Sequence, residues 1–211
     1  VGSTEPIYVL AIVLMLYTLF QYGKNYPYIT FGIIGIISII RYEGLILFVP
    51  ISLLYFYRFK FSKKIILKYF IATTLFLLIV ISWSTMKIDL TGSDGIISHV
   101  SAGPIYYNNI IKEKQDPNEA IIEFLKTGIT NMIKFLGLAT LPLLTFLIPL
   151  GIYTMISKGK LSNFLILFSI VIVLLIPAFY AYSRNFQEVR YLLPIFPILC
   201  LFSVYFIRYI T

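Results

Sequence analysis

Seven apolar stretches, separated by short polar turns, run through almost the whole chain. A transmembrane helix needs roughly 20 predominantly apolar residues, and the stretches approach that length, although the second and third are short. The pattern predicts an all-α, polytopic integral membrane protein with about seven transmembrane helices. The predicted spans cover residues 6–22, 28–40, 45–57, 65–83, 137–156, 164–182 and 191–207.

The second and third stretches allow two interpretations. They form either two true spans or one bent hairpin that dips into the membrane around residues 41–44. Tyr26, Tyr28, Tyr55 and Tyr57 flank these stretches and extend both toward the length of a span. We therefore expect two spans.

Composition agrees with a membrane location. Charged residues make up 12% of the chain and apolar residues 59%, whereas an ordinary soluble domain carries about a quarter charged residues. The net charge of +8 resides in turns between apolar stretches, which is typical of membrane-flanking loops. We expect the lipid bilayer as a partner, and no nucleic acid.

Two alternating sets of turns differ in charge. One set carries basic residues without Asp or Glu, and all nine acidic residues fall in the other set. Cytoplasmic loops carry an excess of Lys and Arg, so we expect a multi-pass protein of the cell membrane whose N-terminus is extracytoplasmic. The basic turns contain Lys24, Arg58, Lys60, Lys63, Lys64, Lys158, Lys160 and Arg208.

Residues 84–136 form one long extracytoplasmic segment in this topology. Asp116, Pro117 and Glu119 match a capping box with proline at the first helical position, which predicts a helix over residues 117–136. Apolar side chains share one face of that helix and polar side chains the other, so we expect an amphipathic helix on the membrane surface. The chain as a whole is expected to form a single membrane domain, residues 1–211.

Arginine and glutamate occur together at two places beside the apolar stretches. Arg41 and Glu43 lie between the second and third spans, and the turn before the last span holds Arg184, Glu188 and Arg190. Charge near a bilayer is costly, and the planar fork of arginine suits phosphate. Each group is therefore a candidate site for a lipid-linked phosphate. The alternative is a structural role, in which the same residues form ion pairs at the membrane interface and anchor helix ends.

Other polar residues give further candidates. Glu5 precedes Pro6 at the head of the first span, where the helix dipole favours a carboxylate. His99 is the only histidine and the one candidate metal ligand of that type. Tyr106 and Tyr107 either stack on a sugar or belong to an interfacial aromatic belt. The sequence contains no phosphate-binding glycine loop, nucleophile elbow, zinc-protease motif or cysteine pair.

Three motifs, taken in order, resemble a known family. Thr-Glu-Pro opens a span at residues 4–6, Arg-Tyr-Glu-Gly occupies residues 41–44, and Arg-Tyr-Leu-Leu-Pro-Ile-Phe-Pro occupies residues 190–197. This series resembles the later membrane helices of GT-C-type glycosyltransferases. These enzymes use polyprenyl-phosphate sugars, and they include the dolichyl-phosphate-mannose–protein mannosyltransferase and aminoarabinose transferase groups. The resemblance covers nearly all of the chain.

The resemblance implies a mechanism. A sugar passes from a polyprenyl-phosphate donor to a protein, glycan or lipid acceptor on the extracytoplasmic side, with a carboxylate as general base and basic residues at the departing phosphate. The basic residues are then expected to converge on one outward-facing cavity beneath residues 84–136. The phosphate-binding residues are Arg184, Arg190 and Arg41, and the sugar-binding candidates are Tyr191, Glu188, Tyr106 and Tyr107.

The catalytic base of the family lies in a first outer loop, and no such loop precedes Pro6. Residue 1 is Val, and no signal-peptide pattern comes before the first span. We expect the chain to be a fragment that is inactive alone, with its base upstream and with Glu5 and Glu43 as substitute candidates. No motif indicates a cofactor. Whether the reaction uses a divalent cation, Mg²⁺ or Mn²⁺, stays an open question.

Two other classes compete with the enzyme. A transporter or flippase would use the charges within the membrane to bind an anionic or lipid-linked substrate, although the sequence shows no repeated halves. A structural or assembly subunit would direct its arginines to lipid headgroups or in separate directions.

Overall fold

The computed structural model describes residues 4–92, 117–158 and 161–210. These residues form eight α-helices and three short 3₁₀ helices, without a strand among them, so the predicted all-α class is confirmed. The chain divides into two compact units, Val1–Glu123 and Phe124–Thr211. Whether they belong to one membrane domain, as predicted, stays a prediction.

Four helices build the first unit. Pro6 and Pro27 lie in the first turns of the first two helices, where the missing N–H of proline costs no hydrogen bond. The hydroxyl oxygen of Ser62 caps the fourth helix by accepting a hydrogen bond from the Ile65 N–H at 3.3 Å. The helices are α1 (Glu5–Gln21), α2 (Pro27–Ile40), α3 (Phe48–Phe59) and α4 (Lys63–Thr91), with a 3₁₀ helix, Tyr42–Leu47, before α3.

Helix α2 lies between α1 and α4 and packs on both. Gly35 permits the approach of α4, since a Cβ at this position would lie only 3.1 Å from the side chain of Ile79. On the same helix, the fully buried ring of Phe31 makes edge-to-face contacts with Tyr55 and Tyr69 at centroid distances of 6.2 and 5.4 Å. Shape-specific aromatic contacts therefore fix the centre of this unit.

Charged side chains of the first unit gather at opposite ends. At one end, Arg41 lies 4.0 Å from Glu5 and forms an ion pair with Glu43. At the other end, Arg58 donates to a carbonyl near the end of α1 at 3.4 Å, and Lys68 donates to the turn after α1 at 3.3 Å. A helix of the length of α1 separates these ends by about 25 Å. Within this unit the predicted separation of acidic and basic turns is present, and its orientation in a membrane stays a prediction.

Helix α4 is longer than predicted. The predicted span ended at residue 83, but residues 84–91 continue the helix instead of starting the outer segment. The hydroxyls of Thr85 and Thr91 donate to carbonyls of the preceding turn at 3.0 and 2.9 Å, so these polar residues are accommodated in the helix. Gly92 ends it in the left-handed conformation, with φ of 70°.

Four helices also account for most of the second unit, and the first of them begins just before it. Pro142 lies in the first turn of the second, so the helix that was predicted over residues 137–156 begins at Leu141, after a break at Thr140. The helices are α5 (Pro117–Ala139), α6 (Leu141–Ser157), α7 (Leu161–Ser183) and α8 (Phe196–Ile210).

The last predicted span, residues 191–207, does not begin as an α-helix. Two 3₁₀ turns, Val189–Tyr191 and Leu193–Ile195, precede α8. Pro194 lacks an N–H donor and lies in the first turn of the second 3₁₀ helix, which explains why regular α-helical bonding is postponed to α8.

Glycines permit the close helix contacts of the second unit. A Cβ on Gly151 of α6 would overlap the carbonyl oxygen of Phe202 in α8 and lie 2.5 Å from its carbonyl carbon. A Cβ on Gly128 of α5 would likewise overlap the side chain of Ser183 in α7. The Gly151 contact brings backbone close to backbone, as small residues do in membrane helix pairs, whereas Gly128 makes room for side chains of α7.

Helix α5 begins at Pro117 as predicted, but it buries a face that the sequence did not single out. Of the predicted apolar face, Ile122 and Ile133 are each 64% exposed. Asn131 and Phe135 are buried instead. The exposed apolar stripe suits contact with lipid, and the location of α5 on a membrane surface stays a prediction.

Three segments of the described residues are long and apolar enough to cross a membrane. Four shorter apolar helices accompany them, and the seven together follow the order of the predicted spans. The chain therefore has the features of a multi-pass membrane protein, while the number of true spans stays a prediction. The long segments are Tyr42–Phe59, Lys63–Thr91 and Val189–Ile210, and the shorter helices are Glu5–Gln21, Pro27–Ile40, Phe146–Ser157 and Leu167–Ser183.

Candidate functional site

Arg41 lies at the centre of a largely buried polar cluster in the first unit. Its Nε and Nη2 atoms donate to the two carboxylate oxygens of Glu43 at 3.2 and 3.0 Å, which is a bidentate pair. Its Nη1 atom lies 4.0 Å from Glu5, and its guanidinium lies 5.5 Å from the ring centre of Tyr8. We call these four residues the Arg41 cluster.

A sharp break after α2 positions Arg41. Its backbone is extended, with φ of −146°, and its carbonyl accepts a hydrogen bond from the Gly44 N–H at 2.9 Å. A Cβ on Gly44 would lie 2.8 Å from the backbone carbon of Ile37, so the chain folds back onto the end of α2 in a way that only glycine allows. The Arg-Tyr-Glu-Gly motif is thus a tight turn that presents its arginine and its glutamate to each other.

The Arg41 cluster carries more acid than base. Side chains of Arg41, Glu43 and Glu5 are only 15%, 11% and 14% exposed, and two carboxylates face one guanidinium. Burial disfavours the charged form of Arg41, but the hydrogen bond and the charge of Glu43 more than offset this, so the pKa of Arg41 is raised above its ordinary value. Such a cluster favours a hydroxyl or a cation over a phosphate, and the predicted role of Arg41 at a phosphate stays a prediction.

Arg184, Glu188, Arg190 and Tyr191 belong to the turn between α7 and the last apolar segment, which we call the 184–191 turn. Asn185 reverses the chain there, with a φ of 62°, which asparagine tolerates better than most residues. The N–H of Phe186 returns to the carbonyl of Ala181 at 3.2 Å and closes the end of α7.

Buried Tyr182 holds the 184–191 turn in place. Its hydroxyl donates to the carbonyl of Glu188 at 2.9 Å, and its own carbonyl accepts a hydrogen bond from the side chain of Asn131 at 3.2 Å. Its ring stacks on Phe135, with centroids 5.2 Å apart and planes 10° apart. The sequence interpretation missed Tyr182 and Asn131. A polar hydroxyl near the end of the apolar helix α7 is a signal that could have found Tyr182, whereas Asn131 is one of several polar residues of α5.

The 184–191 turn carries more base than acid. The carboxylate of Glu188 contacts Nε of Arg190, and both side chains are 48% exposed. Arg190 also lies over the ring of Tyr191 at 5.5 Å, and Arg184 lies over Phe186 at 5.3 Å. In the described part of the chain, the terminal nitrogens of Arg190 form no hydrogen bond, so its exposed guanidinium can accept a further anionic partner.

The remaining candidates lie outside the described residues or give no metal site within them. His99, Tyr106 and Tyr107 fall in residues 93–116, which are not described. Among the residues that are described, no three His, Cys, Asp or Glu side chains form a group suited to a metal ion.

Comparisons of this chain with protein families, with curated proteins and with solved structures found no match. The resemblance to GT-C-type glycosyltransferases therefore rests on the three sequence motifs alone. The structure adds the local geometry of two of them, the Arg41 cluster and the 184–191 turn.

Proposed function

We propose that this protein acts in glycosyl transfer at the extracytoplasmic face of a membrane, with a polyprenyl-phosphate-linked sugar as donor. The 184–191 turn carries this proposal, because the exposed guanidinium of Arg190 lies at the start of a long apolar segment, Val189–Ile210. A polyprenyl phosphate has the same two parts, an anionic head and a long apolar chain. Arginine is the side chain best suited to its phosphate oxygens.

The proposed reaction needs a carboxylate as base and basic residues at the departing phosphate. A carboxylate, with Glu5 and Glu43 as the candidates within this chain, removes the proton from the acceptor hydroxyl. The acceptor oxygen attacks the anomeric carbon, and the bond from that carbon to the donor phosphate oxygen breaks. The phosphate keeps the bonding electrons, and Arg184 and Arg190 stabilise its added negative charge.

Substitution of Arg190 is expected to weaken donor binding without unfolding the protein. In phosphatidylcholine nanodiscs, Arg190→Gln should lower the affinity for undecaprenyl phosphate by about tenfold, since one charge-assisted hydrogen bond contributes at least ~1.5 kcal/mol. Glu188→Gln should raise the affinity, because it removes the carboxylate that competes for Arg190. Equilibrium binding of the labelled lipid measures both effects.

Two controls make this experiment decisive. Arg58→Gln removes an arginine from the first unit, at the end opposite to Arg41, and should leave lipid binding unchanged. Undecaprenol, which lacks the phosphate, should bind equally to wild type and to Arg190→Gln. If Arg190→Gln bound undecaprenyl phosphate as tightly as wild type, the phosphate-binding role of the turn would be rejected.

A transporter is the second candidate function, and one structural observation favours it. Each unit contains a membrane-length segment that begins with 3₁₀ structure, at Tyr42–Leu47 and at residues 189–195. Interrupted helices at corresponding positions are typical of transporters. Reconstituted protein that moved a labelled polyprenyl-phosphate sugar across a vesicle membrane, without transferring its sugar, would favour this function over the enzyme.

A further inference from the structure

A second basic site lies at the opposite end of α8 from the 184–191 turn. A pocket of about 210 Å³ opens there between the ends of α6 and α8. Its volume is several times the ~30 Å³ share of one water molecule in the liquid, so it has room for a phosphate group. The lining residues are Thr154, Lys158, Tyr205, Arg208 and Tyr209.

The close contact of α6 and α8 makes this pocket. Gly151 brings the two backbones together at Phe202, and one turn later Thr154 and Tyr205 line the gap between the helices. The ammonium group of Lys158 lies 4.5 Å from the ring centre of Tyr209, a cation–π contact that holds it at the rim. The pocket therefore combines a threonine and two tyrosines with two cationic side chains.

The charges of the pocket are not neutralised by nearby acid. Neither Lys158 nor Arg208 forms an ion pair within the described part of the chain. Glu188 is the single acidic residue in positions 124–211, and it lies before the start of α8, whereas Arg208 lies near its end. An anion that enters this pocket meets positive charge without a competing carboxylate from its own unit.

Exposed apolar side chains lie next to the lining residues along the ends of α6 and α8. Ile156, Ile207 and Ile210 are 47%, 46% and 66% exposed, and Arg208 lies in the last turn of a segment long enough to cross a membrane. A free phosphate would gain nothing from these surfaces, whereas a phospholipid could lay its acyl chains on them. Basic pockets between transmembrane helices on the cytoplasmic side are known to bind anionic headgroups.

We infer that the pocket formed by Lys158, Arg208 and their tyrosine neighbours binds the phosphate of an anionic phospholipid from the basic face of the membrane. The site is separate from the proposed donor site, which lies at the other end of α8. It holds a structural or regulatory lipid between α6 and α8, and no bond is made or broken there.

Native mass spectrometry of the protein released from detergent tests this inference. With phosphatidylglycerol as the probe, wild type should retain one bound lipid at concentrations at which phosphatidylcholine is not retained. The double variant Lys158→Gln/Arg208→Gln should bind phosphatidylglycerol about thirtyfold more weakly, as two surface cations contribute to anionic lipid binding. Both side chains are exposed, so its thermal unfolding midpoint should match that of wild type.

A matched variant distinguishes lipid binding at this pocket from binding through surface charge in general. Lys63→Gln/Lys64→Gln removes two cations from a basic turn of the first unit and should leave phosphatidylglycerol binding unchanged. The inference would be overturned if both double variants lost phosphatidylglycerol binding to the same extent. It would also be overturned if wild type retained phosphatidylcholine as well as phosphatidylglycerol. Displacement of phosphatidylglycerol by equimolar inorganic phosphate would also overturn it, because the ligand would then be free phosphate.

Discussion

Arg41→Leu is expected to destabilise the first unit by about 3–5 kcal/mol, the usual cost of removing one partner from a buried ion pair. The substitution leaves the carboxylate of Glu43 with 11% exposure and without the two hydrogen bonds that Arg41 donates to it. Trp83, the single tryptophan of the chain, lies in α4 of the same unit. Its fluorescence during denaturant titration therefore reports the free energy of unfolding of this unit.

The double variant Arg41→Leu/Glu43→Leu identifies the origin of that loss. Replacing a whole buried ion pair by apolar residues of similar volume is often neutral or stabilising, so the double variant should recover most of the stability lost by Arg41→Leu. Arg58→Leu, at the exposed opposite end, should cost less than about 1 kcal/mol. A double variant as unstable as the single one would show that Arg41 stabilises the turn by contacts other than its ion pair.

Gly151→Ala is expected to open the contact between α6 and α8. The added Cβ would overlap the backbone of Phe202, and backbone, unlike a flexible side chain, cannot rotate away. Overpacking of this kind costs about 1–3 kcal/mol, so amide exchange in α6 and α8 should become up to about a hundredfold faster. Hydrogen exchange followed by mass spectrometry resolves these two helices from the rest of the chain.

Gly137→Ala in α5 is the matched control for Gly151→Ala. A Cβ at Gly137 meets no atom within 4 Å, and alanine is a better helix former than glycine by about 0.5–1 kcal/mol. Exchange in α5 should therefore stay the same or slow down. Exchange in α6 that was unchanged by Gly151→Ala would contradict the close packing described for the second unit.

The helical architecture is largely predictable from the sequence because long apolar stretches have few alternatives to helix. The errors fall at helix ends, where single residues decide. Helix α4 continues past its predicted end until Gly92, whose left-handed conformation stops it. Helix α6 begins later than predicted, because Pro142 lies in its first turn. Hydropathy alone is insensitive to such positions, since a polar residue such as Thr85 can bond to its own helix and stay within it.

The candidate site is less predictable, because its properties depend on contacts between distant residues. The sequence suggested Arg41 as a phosphate ligand, and the structure places two carboxylates around it, including Glu5, which is 36 positions earlier in the chain (41 − 5). The hydrogen bond between Asn131 and Tyr182, which helps to hold the 184–191 turn, likewise joins positions 51 residues apart. Spacing along one chain cannot indicate such pairings without the packing of the helices.

Photo-crosslinking with a polyprenyl phosphate that carries a photoreactive group near its phosphate tests the proposed function most directly. In the reconstituted protein, the labelled peptide found by mass spectrometry should include residues 184–191, and excess unlabelled undecaprenyl phosphate should abolish the labelling. Arg190→Gln should reduce it, while Arg58→Gln should not. Equal labelling by a probe that lacks the phosphate, or labelling spread along the apolar helices without preference for residues 184–191, would contradict a donor-phosphate site at this turn.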